Sequence, residues 1–240
     1  RDYMTFVEKT RYKTDVEDKD VKTAVTEAID ECVEENILVD FFEKHRLDKN
    51  KKLVSIFPGS RVFELKHLMK VFIKTAEDLQ KKHPDLQFCI SHAPNLSDDV
   101  YDKYLKKTDF KVIKGENQAL LSVSDALILA SGTVALEAAL YQTPMIIAYR
   151  GPYLFYLIYL IVRCIKRVSL PNIIADKYIV PEILQSKVTV SNITYQIEKL
   201  LYDKDYRENN IMELGGVKSL LSDKISSQEA AKVIADALKA

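Results

Sequence analysis

The 240-residue sequence lacks a charge excess of either sign, with 35 Lys and Arg against 35 Asp and Glu. A binder of phosphate backbones usually carries a clear basic surplus, so nucleic acid is excluded as the principal partner. Cysteine is scarce. Cys32, Cys89 and Cys164 lie far apart with no C-x-x-C spacing, which offers neither a disulfide framework nor a zinc site and fits a reducing, cytoplasmic setting. The four histidines, His45, His67, His83 and His92, form no H-E-x-x-H and no cluster with cysteine, so no metal site is expected on them. Long apolar runs are also missing. The longest, residues 153–165, is interrupted by Arg163 and falls short of the ~20 residues that cross a bilayer. The first residues show no basic stretch followed by an apolar one. Neither a Walker A motif nor G-x-G-x-x-G occurs, so kinase and dehydrogenase readings lose their defining loops. No internal repeat or low-complexity linker is present.

What is there divides into two parts. Residues 1–50 are rich in Lys, Asp and Glu, hold no Gly or Pro, and space Val33, Ile37, Leu38, Phe41 and Phe42 as on helices, which predicts a charged helical segment. Residues 51–240 change to short β-rich runs alternating with amphipathic helices, the pattern of an α/β domain with a Rossmann-like parallel sheet and helices on both faces. The runs are 53–57, 86–91, 111–113, 126–130 and 145–149. Between the first two, Leu65, Leu68, Met69, Phe72, Ile73, Ala76 and Leu79 mark one face of a helix. A second helix is expected after Gly132, from Val134 to Tyr141, ended by Pro144. Ser226-Ser227-Gln228-Glu229 has capping-box spacing before a last helix striped by Ala230, Val233, Ile234, Ala237 and Leu238.

In doubly wound sheets ligands bind where the carboxyl ends of strands feed helix N-termini. Two loops qualify. In Pro58-Gly59-Ser60-Arg61, Gly59 permits a tight turn, Ser60 is placed to cap the following helix, and Arg61 is long enough to reach a phosphate or a sugar hydroxyl. The same residues also suit a plain structural turn. In Ala130-Ser131-Gly132-Thr133, small residues expose backbone N–H groups at a helix start, which favours a diphosphate, and Glu137 one turn later is placed to accept from ribose hydroxyls. A well-capped helix with a solvated Glu fits equally.

Three further features are ambiguous from sequence. In Ser169-Leu170-Pro171-Asn172 and Pro181-Glu182-Ile183-Leu184-Gln185, the polar Asn172, Glu182 and Gln185 sit among apolar residues, so each either satisfies buried backbone or faces a ligand. The apolar and Tyr-rich residues 153–165, flanked by Arg150, Arg163, Lys166 and Arg167, suit either a buried helix or an element resting at a lipid interface. Asp18-Lys19-Asp20 and Asp203-Lys204-Asp205 have the D-x-D shape of a metal-diphosphate clamp but sit among surface charges.

Four stretches taken in order resemble the carboxyl-terminal half of the lipid-A-disaccharide synthase family of GT-B-type glycosyltransferases. They are Phe57-Pro58-Gly59-Ser60-Arg61 with Glu64, then 130–138, then 144–150, then Ser169-Leu170-Pro171-Asn172 with 181–185. The resemblance spans roughly residues 51–240 and implies a GT-B donor domain. It implies transfer of 2,3-diacylglucosamine from UDP to 2,3-diacylglucosamine 1-phosphate, with inversion and release of UDP, by a peripheral protein on the inner face of the membrane. It implies no cofactor and no divalent metal. By position, Arg61 would contact the donor diphosphate or sugar, Ser131, Gly132 and Thr133 would cradle phosphate, Glu137 would bind ribose, and Asn172, Glu182 and Gln185 would line the donor side of the cleft. The family also implies a preceding acceptor-binding domain that supplies the general base. Residues 1–50 carry neither its glycine-rich opening nor room for it, so this chain alone is expected to bind donor without transferring it. Competing expectations are a UDP-sugar epimerase of the same architecture and a non-catalytic nucleotide-binding module.

Overall fold

A computed structural model describes residues 41–106, 108–130, 132–151 and 167–222. The chain divides into two compact units, Arg1–Lys49 and Asn50–Ala240. In the first, the described part is a helical turn at residues 41–44, ended by Arg46 at φ 52°. Val33, Ile37 and Leu38, residues 153–165, Ser131, Asp18-Lys19-Asp20 and the expected last helix lie outside the described residues.

The second unit runs β1 (Lys52–Phe57), α1 (Val62–Lys82), β2 (Leu86–His92), α2 (Asp98–Leu105), β3 (Lys111–Lys114), α3 (Asn117–Val123), β4 (Ala126–Ala130), α4 (Val134–Leu140), β5 (Met145–Tyr149), α5 (Leu170–Ile174), β6 (Glu182–Leu184), α6 (Val190–Tyr202) and α7 (Lys204–Ser222). The strands form one sheet in the order β3-β2-β1-β4-β5-β6, with every neighbouring pair parallel. This is the Rossmann-like architecture that the alternating pattern predicts. β6, only three residues long at the sheet edge, is the strand that the pattern misses, because so short a run carries no readable period.

Parallel sheets covered on both faces read as continuous apolar runs, and β4 (ALILA) is buried at every position. Alternate residues serve opposite faces. Val54, Ile56, Ala126, Ile128, Ile146 and Ala148 join one core with α1 and α6, while α3 and α4 pack on β1 and β5 from the other side. All seven apolar positions predicted for α1 are buried, and Pro84 follows directly after its C-cap residue His83. At about 25 cal/mol per Å2 of apolar surface, each such Leu or Phe contributes roughly 1.5–3 kcal/mol.

Several polar groups inside this packing are matched. The Ser124 hydroxyl donates to Ser55 Oγ at 2.6 Å, and Thr75 Oγ1 donates to the Val71 carbonyl at 2.8 Å. Asp125 fixes the start of β4 against the start of β1: its carboxylate accepts from the Leu53 N–H at 2.8 Å, and its own N–H donates to the Leu53 carbonyl at 2.8 Å. Arg207 of α7 donates to the Asp125 carbonyl at 2.7 Å. The Asp203 carboxylate accepts from the Tyr206 N–H at 3.1 Å, so this D-x-D caps a helix.

Replacing Asp125 by Ala leaves the Leu53 N–H without its acceptor, and urea denaturation should show a loss of about 1–3 kcal/mol. Asn at the same place keeps a carbonyl acceptor and should lose clearly less; equal losses would remove Asp125 from this role. Burial pushes the Cys89 thiol up to about 12, so it stays neutral at pH 8. Alkylation at that pH followed by peptide mapping should leave Cys89 unmodified in the native protein and modified in urea.

Candidate functional site

The strand order reverses between β1 and β4: the chain moves outward from β1 to β3, then returns to lay β4 on the other side of β1. At such a switch point the two loops leaving adjacent strands diverge and open a crevice. Here those loops are 58–61 after β1 and the one after β4, of which Gly132 and Thr133 are described. Between them lies a cavity of ≈ 360 Å3 whose lining includes Gly59, Arg61, Glu64, Ser91, Asn117, Gly132, Thr133 and Glu137.

The β1 loop is shaped by one glycine and one carboxylate. Gly59 sits at φ 105°, in the left-handed region that side chains disfavour. A Cβ there would lie 2.1 Å from Glu64 Oε2 and 2.9 Å from Glu64 Cβ. The bare glycine therefore lets Glu64 fold back over the turn, where Oε2 accepts from the Ser60 N–H at 2.9 Å and the Arg61 N–H at 3.2 Å. This corrects the expectation that Ser60 caps the helix: Arg61 is the N-cap residue, and Glu64 satisfies the free N–H groups that a helix start leaves. The Arg61 side chain is 80% exposed at the rim and, among the described residues, is held by a 3.4 Å contact with Glu64 Oε1.

On the other wall, Thr133 is the N-cap residue of α4, and its carbonyl accepts from the Glu137 N–H at 3.2 Å. Glu137 therefore stands one turn along the same wall, exposed and, among the described residues, with no hydrogen-bond partner for its carboxylate. The cavity thus gathers Arg61, Gly132, Thr133 and Glu137 of the sequence-predicted set. It adds Ser91 and Asn117, which sequence reasoning missed. They follow the rule applied to β1 and β4: each sits at or just beyond the carboxyl end of a strand, here β2 and β3.

Asn172, Glu182 and Gln185 are placed elsewhere. Asn172 is fully buried. Its Oδ1 accepts from the Ile179 and Val180 N–H groups at 2.8 and 2.9 Å, and its Nδ2 donates to the Val180 carbonyl at 2.9 Å and to Glu182 Oε1 at 2.8 Å. Glu182 Oε1 also accepts from the Ser169 N–H at 2.8 Å and the Ser169 hydroxyl at 2.7 Å. Of the two readings open for these residues, satisfaction of buried backbone is the one observed. With its amide oxygen and nitrogen assigned so that each meets a complementary group, the Gln185 carboxamide spans the Gly151 backbone, accepting from its N–H at 3.2 Å and donating to its carbonyl at 3.3 Å. Arg150 donates to the Val188 carbonyl at 2.6 Å and is half-buried rather than presented outward. Arg167 binds the Asp176 carboxylate at 2.6 Å. Among the described residues no group of three His, Cys, Asp or Glu is placed to hold a metal ion.

The chain matches the family model described as lipid-A-disaccharide synthetase over residues 29–236. It is 33% identical over 180 residues to the lipid-A-disaccharide synthase of Anaeromyxobacter dehalogenans strain 2CP-1, covering 74% of this chain and 47% of that protein. The enzyme of the same name from Hydrogenovibrio crunogenus is 33% identical over 216 residues, 85% of this chain and 55% of that one. The chain therefore spans about half the length of the curated relatives it matches. Among solved structures, a UDP-GlcNAc 2-epimerase from Neisseria meningitidis bound to UDP-GlcNAc superposes with a TM-score of 0.50 at 17% identity, over 80% of this chain and 51% of that one. That likeness speaks to the fold alone.

The Gly59 and Glu64 geometry yields a coupled test. Gly59→Ala should cost about 1–3 kcal/mol for the positive φ, plus whatever displaces the Glu64 carboxylate. In a Glu64→Ala background the second part vanishes, so the same change should cost less in thermal denaturation. Equal costs in the two backgrounds would show that the carboxylate does not depend on the glycine.

Proposed function

The chain belongs to the lipid-A-disaccharide synthetase family, and from that premise we propose that its second unit binds the UDP part of a UDP-2,3-diacylglucosamine donor. In the whole reaction the sugar passes to 2,3-diacylglucosamine 1-phosphate in lipid A biosynthesis. The observation that carries the reading is the crevice between β1 and β4, which puts Arg61, Gly132, Thr133 and Glu137 on one cavity.

In this reading the backbone N–H groups at the start of α4 and the Arg61 guanidinium hold the diphosphate. Glu137 accepts from the ribose hydroxyls, and Ser131 belongs with Gly132 in the phosphate loop. The acceptor hydroxyl attacks the anomeric carbon on the face opposite the leaving group. The new C–O bond forms as the bond to UDP breaks, UDP departs with the electron pair, and the configuration inverts. Arg61 and the α4 amides offset the charge that grows on the leaving diphosphate, so no divalent metal is required. We assign the base that takes the hydroxyl proton to the acceptor-binding domain implied by the family, so the chain by itself binds donor and does not transfer it.

We place the protein peripherally on the inner face of the membrane, where acylated substrates reside. Among the described residues no helix is long and apolar enough to cross a membrane. Residues 153–165 are the stretch whose composition suits that surface.

Calorimetric titration with UDP should give binding that EDTA leaves unchanged. Arg61→Ala and Glu137→Ala should each weaken it about tenfold or more, the effect of losing a hydrogen bond to a charged group. Binding that survives both changes, or that EDTA abolishes, sinks the assignment.

A further inference from the structure

The wall of the cavity formed by β2 and β3 carries a polar pair that the diphosphate and ribose contacts leave unused. Ser91, the penultimate residue of β2, is 4% exposed, and its hydroxyl donates to Asn117 Oδ1 at 2.7 Å. Asn117 is the first residue of α3 and half-buried. A carboxamide has one acceptor oxygen and one NH2 with two donors. In the observed arrangement the buried hydroxyl occupies the oxygen and leaves Nδ2 as the group on offer. Among the described residues no acceptor takes it.

The backbone beneath this pair is braced. Asp98 of α2 bonds Lys114 at the end of β3 at 2.7 Å, and His92 Nε2 at the end of β2 lies 3.0 Å from its carboxylate, without the alignment of a hydrogen bond. The Tyr101 hydroxyl accepts from the Ala93 N–H at 3.0 Å, and its ring stacks on His92 with centroids 4.3 Å apart. Two loops from different strands are thereby held to one helix, so the donor stands at a fixed place on the wall.

Resting on the reading that this cavity binds a UDP-sugar, we propose that Asn117 is a specificity-determining residue, oriented by Ser91, that donates a hydrogen bond to a neutral carbonyl of the ligand. Such a carbonyl occurs in the uracil ring and in an amide on the sugar. Turning the amide over would require the Ser91 hydroxyl to change from donor to acceptor as well. The amide donor therefore favours a carbonyl over an amino group at the position it meets, which is how sites built on hydrogen bonds discriminate.

The test is calorimetry with UDP, CDP and UDP-GlcNAc on the wild type, Asn117→Ala, Asn117→Asp and Ser91→Ala, each first checked for a wild-type thermal transition. Asp keeps an acceptor for Ser91 and replaces the donor by an acceptor, while Ala removes the donor without adding charge. If the uracil carbonyl is read, Ala should weaken UDP about tenfold, and Asp should shift the UDP to CDP ratio toward CDP. If the sugar amide is read, UDP should be unaffected and the extra affinity of UDP-GlcNAc lost. Ser91→Ala, acting through position only, should reduce discrimination between ligands more than affinity, with Ser91→Thr restoring it. Affinities that stay unchanged, or fall by one common factor for all three ligands, overturn the inference while leaving the UDP site intact. A wild type that binds none of the three overturns the UDP-sugar reading, and this inference with it.

Discussion

The parallel pairing of β1 with β4 is the constraint on which the cavity depends. It joins strands separated by β2 and β3 in the chain, so the loops after them leave side by side although about 70 residues apart in sequence. Asp125 secures the far end of this pair by a two-way exchange with Leu53. In register, Phe57, the last residue of β1, then meets Leu129, the penultimate residue of β4. A slip of one residue would turn Ser55 and the apolar side chains of β1 to the wrong faces. The core thus fixes the loops' spacing.

That dependence explains what was legible in the sequence. The strands that line the switch point are buried on both faces and read as unbroken apolar runs, and the helix after β1 announces itself by a seven-residue stripe. Once the alternation of strands and helices is read, the loops after β1 and β4 are the places to look, and Arg61, Gly132, Thr133 and Glu137 follow. Ser91 and Asn117 did not, because neither stands in a glycine-rich loop. Only the three-dimensional neighbourhood of β2 and β3 brings them together, across 26 positions in the chain.

Asn172 and Glu182 pose the opposite difficulty. A polar residue among apolar ones signals that something must satisfy it, but the sequence does not say whether that is a ligand or the chain. Here the segment from 168 to 182 has little regular structure, so its buried N–H groups need acceptors that a strand or helix would otherwise supply. Asn172 takes two of them and passes its own donors to Val180 and Glu182. Glu182 takes Val168 and Ser169 in turn. Motif residues of this kind act by holding β6 and α5 at the sheet edge, next to the end of β5, where Gln185 grips Gly151.

The same test separates the two carboxylates of the cavity. An anionic ligand cannot sit beside two free carboxylates without a repulsion that weak local screening leaves large. Glu64 is not free in that sense. Its oxygens accept from two backbone N–H groups and face Arg61, so its charge is already met by the positive end of α1. Glu137 has no such partner among the described residues and stands a full turn beyond the start of α4, away from the amides that would hold phosphate. In the proposed reading, compensated charge lies beside the phosphate and the open acceptor meets the hydroxyls. A nucleoside diphosphate, with its charge at one end of the ribose and neutral donors on the ring, is the ligand that the proposed function would set in that order.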